Sequence, residues 1–152
     1  MYHQMVKRII RRGFQNISSA DFEPLLRQFA PDVHFTFVGD HALGADFHHR
    51  EMVRRWFDRL HHIFPGFHIE ADQIIVSGFP WNTSAAVHFT VYDTLPDGVP
   101  YRNRGVQVVR IVWGRVVDDY LIDDSQLLAT TLRHLADRGV AEALQPPLTD
   151  PR

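Results

Sequence analysis

Apolar residues recur along this chain with two different periods, and the period changes near its middle. Tyr2, Met5, Val6, Ile9 and Ile10 fall at helical spacing, which Gly13 then weakens. Ser18-Ser19-Ala20-Asp21 offers short side chains that accept from the free N–H groups of a helix start. Phe22, Leu25, Leu26 and Phe29 follow at i, i+3, i+4 and i+7, with Pro24 in the first turn, where its missing N–H does little harm. Pro31 is expected to close that helix. Val33 to Val38 reads as a first strand, ended by Gly39-Asp40. A loop through Gly44 leads to the clearest helix, in which Met52, Val53, Trp56, Phe57, Leu60, Ile63 and Phe64 form one apolar stripe stopped by Pro65-Gly66.

Beyond this point the pattern is that of strands. Phe67 to Ser77 alternates and then loses phase near Gln73, which predicts a β-bulge and a bend. Strands are expected over Ala85 to Thr94, Tyr101 to Trp113 and Val116 to Asp123, separated by turns at Gly78-Phe79-Pro80-Trp81-Asn82, Pro96-Asp97-Gly98 and Gly114-Arg115. Ser125 to Arg138 reads as a closing helix with Leu127, Leu128, Thr131, Leu132 and Leu135 on one face and Gly139 as its C-cap. The predicted organisation is one domain over residues 1–145 and an extended, proline-bearing tail over 146–152. Short turns between long strands demand antiparallel pairing. A long, bent sheet must cover one face, and the early helices are the available cover. The fold class is therefore α+β: a curved, mostly antiparallel sheet covered by N-terminal helices, with a closing C-terminal helix and room for a cavity.

Composition narrows the function. The 152 residues include 16 Lys and Arg against 18 Asp and Glu, a net charge of -2 with no basic half. A nucleic-acid partner would need concentrated positive charge. Lys7, Arg8, Arg11 and Arg12 cluster on an amphipathic helix and read as a solvated face. The absence of cysteine removes thiolate metal sites, disulfides and a Cys nucleophile. The N-terminal residues lack the apolar core of a signal peptide, and no apolar run reaches membrane-spanning length, so a cytoplasmic protein with no membrane partner is expected.

The order of elements and several short segments resemble the nuclear-transport-factor-2-like superfamily, and within it the SnoaL-like polyketide cyclase branch. The resemblance spans about residues 18–145. It is carried by Phe29-Ala30-Pro31-Asp32-Val33-His34-Phe35, the Gly39 to Gly44 loop, Arg55-Trp56-Phe57, Val76-Ser77-Gly78-Phe79-Pro80-Trp81-Asn82-Thr83, Tyr101-Arg102-Asn103-Arg104-Gly105-Val106-Gln107, Trp113-Gly114-Arg115-Val116 and Asp124-Ser125-Gln126-Leu127. It implies a cone-shaped α+β barrel and a homodimer formed through the sheet. In the cyclases an acid at the end of the last strand acts as acid/base in an intramolecular aldol closure, without metal or nucleotide cofactor. Asp124 stands at the matching position and Gln107 where a histidine is common, a departure that removes one titrating group.

Residue by residue, Asp124 is the candidate catalytic acid, and it also fits an N-cap for the closing helix. Its neighbours Asp118, Asp119 and Asp123 matter, because clustered carboxylates in a dry site bind protons more readily. Period two puts Tyr101, Asn103, Gly105, Gln107, Val109 and Ile111 on one strand face and Arg102, Arg104, Val106, Val108 and Arg110 on the other. The first face is the pocket candidate, with Asn103 and Gln107 as ligand-orienting amides; ordinary cross-strand hydrogen bonding explains the same residues. Tyr120 and Ile122 share the side of Asp124, so Tyr120 is expected in the pocket. His34, His88 and Tyr92 are further binding candidates from strand faces, Trp56 from the helix stripe, and His41 lies in a loop where it could gate a mouth.

His48-His49 and His61-His62 do not make a metal site, because a step of about 100° per residue spreads them around and along a helix. No metal or other cofactor is expected. The functional reading is a small-molecule-pocket protein, a cofactor-independent cyclase or isomerase working by proton transfer. The alternative is a non-catalytic ligand-binding or dimeric accessory domain. A ketosteroid-isomerase-like chemistry is a weaker third, since its base position falls near Thr36. Nucleophilic hydrolysis lacks a Gly-x-Ser-x-Gly motif.

Overall fold

Antiparallel pairing is what the short turns demand, and the second half of the chain obeys it. The structure, a computed structural model, describes residues Met1–Arg152. Its elements run α1 (Tyr2–Ser18), α2 (Glu23–Leu26), β1 (Phe29–Phe37), β2 (Ala45–Phe47), α3 (Arg50–Ile63), β3 (His68–Phe79), β4 (Asn82–Thr94), β5 (Pro100–Val112), β6 (Arg115–Asp123), α4 (Ser125–Asp137), a 3-10 turn (Ala141–Leu144) and β7 (Leu148–Thr149). One curved, unclosed sheet takes the order β3-β4-β5-β6-β1-β2-β7. The β3 to β6 neighbours are antiparallel, and β1 joins β6 in parallel. No helix is long and apolar enough to cross a membrane.

Two boundaries differ from the periodicity. Helix α1 runs on through Ser18, and the second helix is a single turn, so Phe29 and Pro31 belong to β1. Pro31 cannot donate to a ladder, but the β1–β6 pairing is interrupted between Phe29 and His34, and the missing N–H is tolerated there. Strands β2 and β7 were not legible as strands. They pair with each other in parallel, Ala45 opposite Leu148, and so tie the tail to the sheet edge.

Two bulges shape the sheet. The β3–β4 ladder skips Asp72, as the loss of phase near Gln73 predicts. The β5–β6 ladder pairs Ile111 with Val116 but Arg110 with Asp118, so Val117 is an extra residue in β6. The β5–β6 turn itself is tight: Trp113 and Gly114 both have positive φ, the geometry a two-residue hairpin turn requires.

Helix α3 buries Met52, Val53, Trp56, Phe57, Leu60 and Ile63 against the concave face. There the Phe35 ring stacks on Phe47 and tilts against Trp56. Helix α1 lies along β3, with Phe14 edge-on to Phe89. The Phe89 ring fits because β5 carries Gly105 beneath it: a Cβ there would come within 2.5 Å of Phe89 Cζ and 2.5 Å of the Ile122 carbonyl oxygen. Gly105→Ala is therefore expected to destabilise the fold by about 2 kcal/mol through overpacking. Urea denaturation checks this, and an unchanged midpoint would show that Phe89 moves aside freely.

Candidate functional site

The helices do not fill the concave face. A cavity of about 110 Å³ remains, and 23 of its 28 lining residues are hydrophobic. Its aromatic wall comes from Phe14, Phe29, Phe35, Phe37, Trp56, Phe57, Phe64, Phe67, Phe89 and Tyr101. Ile10, Leu25, Gln28, Ile111 and Val116 line it too and remain partly exposed, which puts the mouth between α1, α2 and the β5–β6 hairpin. Trp56 is buried in this wall and donates its indole N–H to the Leu43 carbonyl at 2.8 Å, so it offers a ligand only its ring.

Against this apolar lining the polar side chains are few: Gln28, Gln107, Asp119 and Asp123. Asp119 is 4% exposed. Gln107 Nε2 donates to its Oδ1 at 2.8 Å. Burial pushes the Asp119 carboxyl up to about 7, because a desolvated anion is costly; the Gln107 bond pulls the other way, and Asp118 adds repulsion. Asp123 is likewise pushed up to about 7 by burial and then by the nearby Asp124. Asn103 Nδ2 donates to Asp123 Oδ2 at 3.2 Å and to the Tyr101 hydroxyl at 2.9 Å. Burial also raises the Tyr101 phenol, which stays protonated. The cavity thus holds two carboxyl groups whose raised proton affinity lets each exist as acid or as carboxylate near neutral pH.

The expected pocket face of β5 is the observed one. Tyr101, Asn103 and Val109 are buried, and Tyr101, Gln107 and Val109 line the cavity. The expected side of β6 is not. A regular two-residue hairpin would bring Tyr120 opposite Gln107; the extra Val117 shifts the register by one, so Gln107 faces Leu121 and Val109 faces Asp119. A one-residue shift sends every side chain to the other face. Asp119, Leu121 and Asp123 turn inward, and Tyr120, at 42% exposed, turns outward. Asp124 is exposed at the start of α4, where its side chain accepts from the Leu127 N–H at 3.1 Å. It does not line the cavity, so its observed role is the N-cap.

The other strand candidates also leave the pocket. His34 sits opposite the inward Phe35 and Phe37, pairs with Asp46 at 2.7 Å and stacks on His48. His88 lies on the outer face beside Asp72, and Tyr92 lies there under the Arg102 guanidinium. His41 is buried inside its loop rather than placed at a mouth; its Nδ1 accepts from the Leu43 N–H, and burial lowers its pKa. The doubled histidines disperse: His48, between β2 and α3, meets Asp150, while on α3 His61 meets the Ile17 carbonyl and His62 meets Glu142. The residues that sequence reasoning passed over are Asp119 and Asp123, noted only as neighbours of Asp124. The missing signal was the register.

A family model described as a SnoaL-like domain matches residues 10–119. Among solved structures, PrhC from Penicillium brasilianum is similar with a TM-score of 0.77 at 16% identity, over 93% of this chain and 94% of that one. IdmH from Streptomyces antibioticus, named as a candidate polyketide cyclase, gives 0.66 at 19% identity over 86% and 99% of the two chains. A Catenulispora acidiphila protein with a ketosteroid-isomerase-like fold, solved in complex with trimethylamine, gives 0.63 at 15% over 74% and 82%. No curated protein matches the chain. At these identities the structural likeness establishes the fold.

The buried Asp119 sets a pH dependence of stability. The unfolded chain ionises this group near pH 4, whereas the folded chain holds its proton up to about 7. Between those values the folded state binds more protons, so stability falls as pH rises through the window. Asp119→Asn removes this loss. Relative to wild type, the variant should gain roughly 2–3 kcal/mol between pH 5 and pH 8. Urea unfolding at both pH values measures the gain, and parallel profiles would show that Asp119 ionises freely.

Proposed function

From the premise that this chain belongs to the SnoaL-like domain family, we propose that its cavity binds a small, ring-bearing, largely apolar molecule with a carbonyl group and moves a proton on it through Asp119. The observation that carries this reading is a carboxyl buried in an apolar wall, held by one amide and titrating near neutral pH. As a carboxylate, Asp119 removes a proton from the carbon beside the carbonyl. The resulting enolate carbon attacks a second carbonyl of the same molecule and forms the new C–C bond. The alkoxide so produced takes the proton back from the carboxylic acid. Returning the proton to a different carbon of the enolate is an isomerisation by the same equipment. Neither step calls for a cofactor. Gln107 fixes the carboxyl orientation, and the aromatic wall keeps water from competing for the enolate.

Proton abstraction can be read without knowing the natural substrate. A bicyclic ketone such as tetralone in deuterated buffer at pH 7 should exchange the hydrogens beside its carbonyl faster with protein than without, as followed by proton NMR. Asp119→Asn should lower that exchange by roughly 10²- to 10⁴-fold while the ketone still binds. A wild-type protein that binds the ketone and does not exchange it would leave the non-catalytic ligand-binding reading in place.

We also infer a homodimer through the outer sheet face. Ile75, Ala86, Val108 and Tyr120 stand in one transverse row across β3 to β6, with Val106 beside Ile122 in the next. Val108 is 48% exposed and Ile75 57% exposed, an apolar band that a second copy would cover. Sedimentation should give about twice the 17.6 kDa chain mass, and Val108→Asp should return it to one chain. A wild-type monomer at micromolar concentration would defeat the idea.

A further inference from the structure

The cavity wall formed by β5 and β6 carries its polar pairing twice. Gln107 lies two residues before Val109, which pairs with Asp119; Asn103 lies two residues before Gly105, which pairs with Asp123. Each amide reaches diagonally across to its acid. Between the two pairs the wall is apolar: Leu121 separates the acids on β6, and the Phe89 ring occupies the space that Gly105 leaves open on β5. The acids are four residues apart on one strand face, roughly 13 Å along the strand.

The two pairs differ in what they leave unused. Asn103 is fully engaged: its Nδ2 serves Tyr101, Asp123 and the Asp124 carbonyl, and its Oδ1 accepts from the Arg104 and Asp124 N–H groups. It acts as a clamp and has no capacity for a ligand. Asp123 Oδ1, by contrast, is buried without any hydrogen-bond partner. The Tyr101 hydroxyl is engaged only as an acceptor, so its own proton is uncommitted. Both residues line the cavity. A buried polar atom without a partner costs free energy that a bound oxygen would recover.

We propose that Asp123 and Tyr101 form a second polar pole that hydrogen-bonds a ligand oxygen at the end opposite Asp119, so that the pocket selects apolar ring molecules oxygenated at both ends. The inference rests on the reading of this cavity as a ligand site and adds a substrate class to it. A molecule with a carbonyl at one end and a hydroxyl or second carbonyl at the other satisfies both poles, with its ring system on the Leu121 and Phe89 floor. A molecule with adjacent oxygens satisfies one pole and strands the other.

Two isomeric naphthalenediols test this, one with hydroxyls at opposite ends of the bicycle and one with them on neighbouring carbons. They share composition and ring area, so their affinity ratio reads oxygen placement. Calorimetric titration of the wild type should favour the opposite-ended isomer by roughly tenfold. Tyr101→Phe and Asp123→Leu should each cut that preference by about threefold or more, and Asp123→Asn, which keeps a donor, should retain most of it. Equal affinities in the wild type, no binding of either isomer, or a preference untouched in both Tyr101→Phe and Asp123→Leu would overturn the proposal. Should Asp123→Leu fail to fold, Tyr101→Phe decides alone. The readout is binding and needs no turnover. Loss of the preference with ketone exchange intact sinks only the second pole, and a preference without exchange sinks only the proton-transfer reading.

Discussion

One extra residue in β6 decides which acids this protein keeps dry. With Val117 bulged out, Val109 pairs with Asp119 and Gly105 with Asp123, and both carboxyl groups enter the concave face. A regular ladder would turn Asp118, Tyr120 and Ile122 inward instead, with Tyr120 opposite Gln107 and Ile122 opposite Gly105. Every later property of the cavity follows from that register: the two amide–acid pairs, their raised proton affinity and the apolar stretch between them. The same shift turns Tyr120 and Ile122 outward, where they extend the apolar rows of the outer face. A bulge that re-aims side chains beside a site is a known use of the irregularity.

Burying two acids is costly, and the surrounding structure bears it in two ways. The carboxyls keep their protons up to about pH 7, well above the ordinary carboxylate range, so below that pH a large solvation penalty is replaced by a modest one. Each also accepts from an amide, Asp119 from Gln107 and Asp123 from Asn103. The core around them, 31 buried hydrophobic residues in one cluster, supplies the stability against which that cost is set. The buried carboxyls and the apolar wall that raises their proton affinity are thus one structure.

Much of this was legible in the chain. The apolar stripe of α3, the bulge near Gln73, the tight turns and the alternation of β5 all rest on local chemistry, and local chemistry is what a sequence displays. The faces of β5 were assigned correctly because arginine alternates with Asn103, Gly105 and Gln107. The faces of β6 were not, because Val116-Val117 reads as two ordinary strand residues. A bulge there is specified by how two strands meet across a sheet, which no period along one strand records. Strands β2 and β7 were hidden for a related reason: each is two or three residues long and exists only because the other, or β1, lies beside it. The histidines on outer strand faces looked like candidates because side-chain chemistry is visible before side-chain direction.

Asp124 illustrates the difference between a residue's type and its place. It follows Asp123 directly, yet the strand ends between them, and the two acids do opposite work. Asp124 caps α4 through its side chain, while its backbone N–H and carbonyl both meet the Asn103 amide. Those two backbone contacts hold Asn103 where it reaches Asp123 and Tyr101. The Asp124 carboxylate in turn raises the proton affinity of Asp123 by like-charge repulsion. An acid at the end of the last strand therefore shapes the chemistry of the cavity without entering it. It fixes the amide clamp on one side and disfavours a second negative charge on the other. Its influence reaches the cavity through Asn103 and Asp123, and of these three residues Asp123 alone lines it.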